Sequence, residues 1–176
     1  MSNDRLYNPA VRFYVAFPEA FADWQNPTKE ELNANPTNDP TGLIFELTCA
    51  INQDGTTFNL DDPDTDDSLT FCQVAGAQNP TAENPNIVLE FERSADPLAV
   101  NTANLAFGLM AWKGIEYFAI MSIGEEAGTP FDSAHQIKMA RVALDYPADI
   151  FGTGENVRLS QTFAQRGDIN WNYPLA

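Results

Sequence analysis

Alternation of apolar and polar residues with a period of two recurs along this 176-residue chain and restricts it to a mainly β fold. In the segment 10–17, Val11, Phe13, Val15 and Phe17 point one way and Arg12 and Tyr14 the other, the pattern of a half-buried strand. Leu43, Phe45, Leu47, Cys49 and Ile51 alternate in the same way against Glu46 and Thr48, and Ile87, Leu89 and Phe91 against Glu90 and Glu92. The segment 115–123 is apolar on both sides, which predicts a central strand covered from two directions. Segments 136–146, 156–164 and 168–173 complete the set, with 56–60 and 69–73 as shorter candidates. Seven or more strands parted by Pro, Gly and Asn turns predict a sandwich or barrel.

Helical signals are few. Thr28 with Glu31 three residues on forms a capping box for one or two turns over Pro27–Leu32. A longer helix is predicted from Asn101 or Thr102 to Trp112, where Leu105, Leu109 and Trp112 fall at helical spacing and Gly114 follows as a stop. The predicted class is therefore all-β, a β-sandwich or barrel with one flanking α-helix, in a single domain over 1–176. Its strand-forming core spans about 10–17 and 43–173, and its long loops lie at about 18–42 and 74–85. Loops of that length in a small domain are commonly functional or meet a partner.

The charge balance narrows the function. There are 25 acidic residues against 9 basic ones, a formal net charge of −16. Between Lys29 and Arg93 there is no basic residue, and about half of the acidic ones lie there. Nucleic-acid binders neutralise phosphates with Lys and Arg, so a DNA-binding role is excluded, and anionic membranes are disfavoured by the same sign. The opening Met1–Arg5 has no signal-peptide character, so synthesis and folding in a cytoplasm are expected. Cys49 and Cys72 match no metal-ligand spacing and read as buried free thiols there, with a disulfide as the alternative.

Catalytic signals are weak. Asp62, Asp64 and Asp66 imitate the start of a calcium loop, yet Pro63 interrupts it and the turn glycine and final Glu are absent. The run Asp61–Asp67 reads more simply as a solvated acidic turn or a subunit contact. His135, the single histidine, is expected at a loop edge or strand start and has no convincing triad partner. Gly152-Thr153-Gly154 lacks the glycine pattern and following helix of a phosphate cradle. No catalytic residue, metal ligand or cofactor is predicted, and an enzyme is the weakest class. The rival class is an acidic β-sandwich that binds carbohydrate or calcium, with Trp24, Trp112 and Trp171 as a stacking platform.

Several ordered segments form a set: Arg5-Leu6-Tyr7-Asn8-Pro9 leading into a strand, Pro27-Thr28-Lys29-Glu30-Glu31-Leu32-Asn33 and Leu47-Thr48-Cys49-Ala50-Ile51. The acidic run from Phe58 to Ser68, Phe71-Cys72 and the closing Gly167-Asp168-Ile169-Asn170-Trp171-Asn172 follow. In order and spacing this set resembles the major tail protein, or tail tube subunit, of long non-contractile-tailed bacteriophages, particularly those of actinobacteria. The resemblance covers nearly the whole chain. It implies a structural virion protein, a β-sandwich with a side helix that forms stacked hexameric rings and is assembled in the host cytoplasm. It also implies as partners further copies of the chain, the tape measure protein, the tail terminator and the distal tail protein. Double-stranded DNA would pass through the lumen without specific binding. A C-terminal decoration domain is not expected, so the tube exterior should be smooth. On this reading Glu46, Thr48, Glu90 and Glu92 are lumen-facing candidates, and Arg5, Lys29, Asp61, Asp62, Asp64, Asp66, Asp67 and Arg166 are inter-subunit contact candidates.

Overall fold

The computed structural model describes residues 11–66, 79–124, 126–132, 135–151 and 157–175. Side chains are described over 11–60, 85–124, 126–132, 135–151, 157–167, 169–170 and 175. Among these residues the strands are β1 (Val11–Ala16), β2 (Ile44–Glu46), β3 (Ile51–Asp66), β4 (Asn79–Glu92), β5 (Glu116–Ile123), β6 (Gln136–Leu144), β7 (Ala148–Ile150) and β8 (Arg158–Pro174). Helix α1 (Lys29–Leu32) precedes β2, and helix α2 (Thr102–Met110) precedes β5.

All pairings are antiparallel, in the order β2-β1-β5-β6-β8-β4-β3, with β7 added to β8. The long strand β8 joins two halves: its start pairs with β4 through Leu159–Phe91 and its end with β6 through Ile169–Ala140. The sheet folds over on this strand, and its inner faces meet in one core. Val15, Phe45, Leu47, Tyr117, Ala119 and Val142 come from one half, and Phe58, Ile87, Leu89, Phe91 and Phe163 from the other. The Phe13 and Phe58 rings, on β1 and β3, lie 6.2 Å apart across it. The result is a sandwich of two halves of one sheet. The end strands β2 and β3 do not pair, so it is not a closed barrel.

Strand β5 is buried on both faces, as its two-sided apolar pattern predicts. Tyr117, Ala119 and Met121 face the sandwich core, while Phe118 and Ile120 face a second cluster with Tyr14, Ala16, Ile44, Ile137 and Met139. The predicted long loop over 18–42 supplies the cover for that second face. Phe21 meets the Phe118 ring edge-on at 5.6 Å, Trp24 stacks on it at 5.5 Å, and Leu32 and Phe131 are buried beside them. The capping box forms: Thr28 Oγ1 accepts from the Glu31 amide at 3.3 Å, and Glu31 Oε2 accepts from the Thr28 amide at 2.9 Å. The other Glu31 oxygen accepts from the Ala22 amide at 2.9 Å, tying α1 to the segment that carries Phe21 and Trp24. Burial alone would raise the Glu31 pKa. The hydrogen bonds from Ala22 and Thr28 outweigh it and hold the carboxyl below its ordinary value.

Helix α2 is capped by Asn101, whose side chain accepts from the Asn104 amide at 2.8 Å, and buries Ala106 and Met110. The Tyr117 hydroxyl donates to the Leu109 carbonyl at 3.1 Å, clamping the last turn of α2 to β5. Burial pushes the Tyr117 phenol up to about 12.

Several expectations are corrected. The alternation over 43–51 predicts one strand, but β2 ends at Glu46 and Thr48–Ala50 form a 3-10 turn. Thr48 Oγ1 accepts from the Phe13 amide at 3.0 Å, so a side chain takes over where the ladder stops. Cys49 sits on that turn as an exposed free thiol, not a buried one. Strand β1, predicted to be half-buried, is covered on both sides, with Arg12 and Tyr14 buried. The acidic residues Asp61, Asp62, Asp64 and Asp66 lie in β3, an extended strand and not a turn, and 79–85, predicted as loop, belongs to β4. Ladder pairing between β3 and β4 overrides the turn propensity of Pro and Asp, with Pro63 at a register shift. The segments 156–164 and 168–173 join into the single strand β8. Arg5, Asp67, Cys72, the candidate strand 69–73 and the 152–154 turn lie outside the described residues.

Phe118→Ala should destabilise the protein by about 3–5 kcal/mol, because it removes the ring on which Phe21 and Trp24 rest. Urea unfolding measures the loss, and a red-shifted tryptophan emission in the folded baseline locates it at Trp24. Tyr117 generates a pH dependence. An unfolded tyrosine ionises near pH 10, so its stabilising contribution is complete below that value and falls as pH rises towards about 12. Tyr117→Phe should flatten the loss of stability over that window.

Candidate assembly site

The charged residues singled out from the sequence are built into two separate networks on opposite sides of the sandwich. Glu46 shares its face of β2 with Ile44, on the side covered by the second cluster. Its carboxylate accepts from Arg12 Nε at 3.3 Å and Nη2 at 3.4 Å, from the Thr48 hydroxyl at 3.1 Å and from the Gly128 amide at 3.2 Å. Gly128 has φ +80°, which lets its N–H approach the carboxylate. The Arg12 guanidinium lies 4.6 Å from the Phe131 ring centroid and 4.9 Å from that of Tyr14. Glu46 and Thr48 therefore join β1, β2 and the 126–132 segment.

Glu90 lies opposite Leu89 and Phe91, on the outer face of the other half, and shares that face with Glu92. Its carboxylate is buried and pairs with Arg158 Nη1 at 2.5 Å, on the neighbouring strand β8. Gly55 permits the arrangement: a Cβ at that position would overlap the Glu90 carboxylate. A register shift in β3 between Asn52 and Thr57 brings this glycine there, and Thr56 Oγ1 accepts from the Glu90 amide at 3.2 Å. Glu92 is exposed. The four lumen candidates thus do not share a face: Glu90 and Glu92 lie on one and Glu46 on the other, with Thr48 on the turn that follows β2.

Sequence reasoning missed the edge of β2. Asn38 Nδ2 donates to the Glu46 carbonyl and Asn38 Oδ1 accepts from the Glu46 amide, both at 2.8 Å, so one side-chain amide imitates a neighbouring strand. Asn38 adopts φ +53°, a left-handed conformation that asparagine tolerates. Asn35 Nδ2 donates to the Ile44 carbonyl at 2.8 Å, and together the two residues cover the β2 edge. Three residues apart in a polar loop, they leave no pattern that periodicity detects. Arg12 was legible only as a polar position in an apolar strand.

Basic residues are mostly paired within the chain. Besides Arg12 and Arg158, Arg141 meets Glu116 at 2.7 Å, Lys113 meets Asp145 at 3.4 Å, and Arg93 meets Asp149 at 3.6 Å. Arg93 also lies 3.6 Å from the Phe107 ring centroid on α2. Lys29 and Arg166 form no ion pair with another described residue. Of the acidic contact candidates, Asp61, Asp62, Asp64 and Asp66 follow one another along the end strand β3.

Among the described residues no group of His, Cys, Asp or Glu is placed to hold a metal ion. A family model described as phage tail tube protein matches residues 4–176. The chain belongs to the phage tail tube protein family. Members of that family are structural and non-catalytic, so the chain is a structural component of the virion tail and not an enzyme. Family membership also supports oligomerisation and association with other tail components. No curated protein matches the chain.

Within this tail tube subunit the Glu90–Arg158 pair should be a strong structural determinant. Glu90→Ala leaves a half-buried guanidinium without its carboxylate and should lower stability by about 3 kcal/mol in chemical denaturation. Gly55→Ala should displace the same carboxylate and give a loss that is not additive with the first.

Proposed function

We propose that the chain forms hexameric rings that stack into the tube of a long non-contractile tail, of the kind carried by phages of actinobacteria. The match of the tail tube family model over 4–176 carries this reading. The tube surrounds the tape measure protein during assembly, ends on the tail terminator and the distal tail protein, and then conducts DNA. Assembly takes place in the host cytoplasm.

The electrostatics support a conduit. Six copies at −16 each repel phosphate backbones, and most of the described basic side chains are already occupied within the subunit. The outer face of β4 and β8, bearing Glu90 and Glu92, forms the lumen wall in this reading, with Glu92 the exposed charge. Of the other lumen candidates, Glu46 lies on the opposite face and binds the second layer to the sandwich, and Thr48, on the turn after β2, donates to it.

The edges support directional assembly. The β2 edge is covered by Asn35 and Asn38, whereas β3 is a sixteen-residue end strand, so strand pairing between copies engages β3. Lys29 and Arg166, with Arg5, serve as contacts to acidic residues of neighbouring copies, among them the Asp61–Asp67 series.

Negative-stain electron microscopy of the purified protein should show rings or tubes with six-fold symmetry, and a strict monomer at high concentration would overturn the reading. Because the subunits repel one another, raising ionic strength should increase light scattering from tubes by shortening the reach of that repulsion below the roughly 8 Å it has at physiological salt. Unchanged or reduced polymerisation would count against that restraint. For the lumen, Glu92→Cys in a Cys49→Ser, Cys72→Ser background should react in intact tubes with a small maleimide and resist one bearing a bulky polymer. Equal labelling by both reagents would place Glu92 outside.

A further inference from the structure

The chain contains one Asp-Gly dipeptide, Asp54-Gly55, and no Asn-Gly. Both residues fall near the start of β3, where the ladder is interrupted. Pairing with β4 stops at Asn52–Glu90 and resumes at Thr57–Val88, so residues 53–56 lie opposite the single residue Leu89. β3 is also an end strand, with β4 as its one neighbour among the described strands. Asn52 fastens the bulge: its side-chain oxygen accepts from the Asp54 amide at 3.0 Å, and its carbonyl accepts from the Thr56 hydroxyl at 2.7 Å.

Asp54 itself is exposed, and among the described residues its carboxylate enters no hydrogen bond or ion pair. Two constraints usually keep an aspartate carboxyl in a strand away from the next main-chain nitrogen. One is the side chain of the following residue, and the other is a backbone held in register by a facing partner. Neither acts at Asp54. Gly55 carries no Cβ, and the ladder gives neither residue a partner.

We propose that Asp54 is a site of spontaneous isomerisation to isoaspartate, by way of a succinimide formed with Gly55. The Gly55 nitrogen attacks Cγ of Asp54 in its acid form. A bond forms between that nitrogen and Cγ, and the carboxyl OH leaves as water with the amide proton. Water then adds to the Asp54 main-chain carbonyl carbon and breaks its bond to the Gly55 nitrogen, which takes up a proton. The chain now runs through the Asp54 side chain, and the former main-chain carbonyl is a free carboxylate. Net charge is unchanged, nothing is oxidised or reduced, and the water lost in the first step is regained in the second. The product lengthens the main chain by one carbon immediately before Gly55. That residue sits where a Cβ would already overlap the buried Glu90 carboxylate, the partner of Arg158. Isomerisation therefore disturbs the Glu90–Arg158 pair, and it does so in the single chain, whether or not copies assemble.

Ageing the purified full chain in mildly acidic buffer tests this, with isoaspartate counted by an isoaspartyl methyltransferase and located by fragment ions that distinguish the two isomers. Asp54 should isomerise within about tenfold of the rate in a synthetic peptide spanning 51–60, and at least about tenfold faster than any other aspartate of the folded chain. A rate further below the peptide's, or no excess at Asp54, would overturn the proposal. Asp54→Glu, whose cyclisation needs a six-membered imide, should reduce methylation to the level of the remaining sites while the fresh protein unfolds as the parent does. Undiminished methylation in Asp54→Glu would place the site elsewhere and overturn the assignment. The isoaspartate form, isolated after ageing, should unfold at a lower urea concentration than the fresh protein. Equal midpoints for the two forms would overturn the link to Glu90 and Arg158.

Discussion

The burial of β5 on both faces is the constraint on which the rest of the structure depends. A strand with Tyr117, Ala119 and Met121 on one side and Phe118 and Ile120 on the other cannot lie on a surface, so two layers must cover it. One layer is the far half of the same sheet, brought over by β8. The other is the 17–43 segment with 126–132, which has little regular structure and depends on polar latches. The Thr28–Glu31 box, the bond from Ala22 to Glu31 and the Glu46 network with Arg12 and Gly128 all serve to hold that cover in place. Long loops in this protein are part of the core's construction as much as they are surfaces for partners.

The same latches consume charge. Arg12 and Arg158 meet carboxylates inside the fold, and Arg141, Lys113 and Arg93 do so at its surface. Each pair neutralises one acid locally and leaves the unbalanced acids outside. At Glu46 and Glu90, where burial makes an unpaired carboxylate costly, an arginine is spent on each. The chain as a whole keeps a surplus of acid, 25 acidic residues against 9 basic ones. Family membership supports oligomerisation, which general electrostatics between acidic copies opposes.

Much of the fold was legible because β periodicity is a local property. The strands over Val11–Ala16, Glu116–Ile123 and Ile87–Phe91 were read correctly, and the start of α2, the α1 capping box and the two-sided burial of β5 could each be taken from a few adjacent residues. The errors fall where a distant partner overrides local preference. Asp61–Asp66 carry turn-forming residues but extend because β4 lies alongside, and Thr48 leaves the strand pattern because its hydroxyl meets the Phe13 amide. The site was less legible than the fold. Glu46, Thr48, Glu90 and Glu92 look equivalent as polar positions between apolar ones. They separate only when the sheet folds over and sends β2 and β4 to opposite outer faces.

The sequence alone determined the β class, the single flanking helix, the excess of acid and, through the order of its segments, the tail tube family. These follow from short-range pattern, composition and similarity, none of which needs a partner residue in space. Tertiary structure decided which carboxylates are buried against arginines, which sheet edge is covered by Asn35 and Asn38, and which apolar side chains remain outside at the two ends of α2. Those outcomes depend on residues such as Asn38 and Glu46, or Glu90 and Arg158, meeting across the fold. Only the folded backbone, with its register shifts and crossing strands, fixes who meets whom.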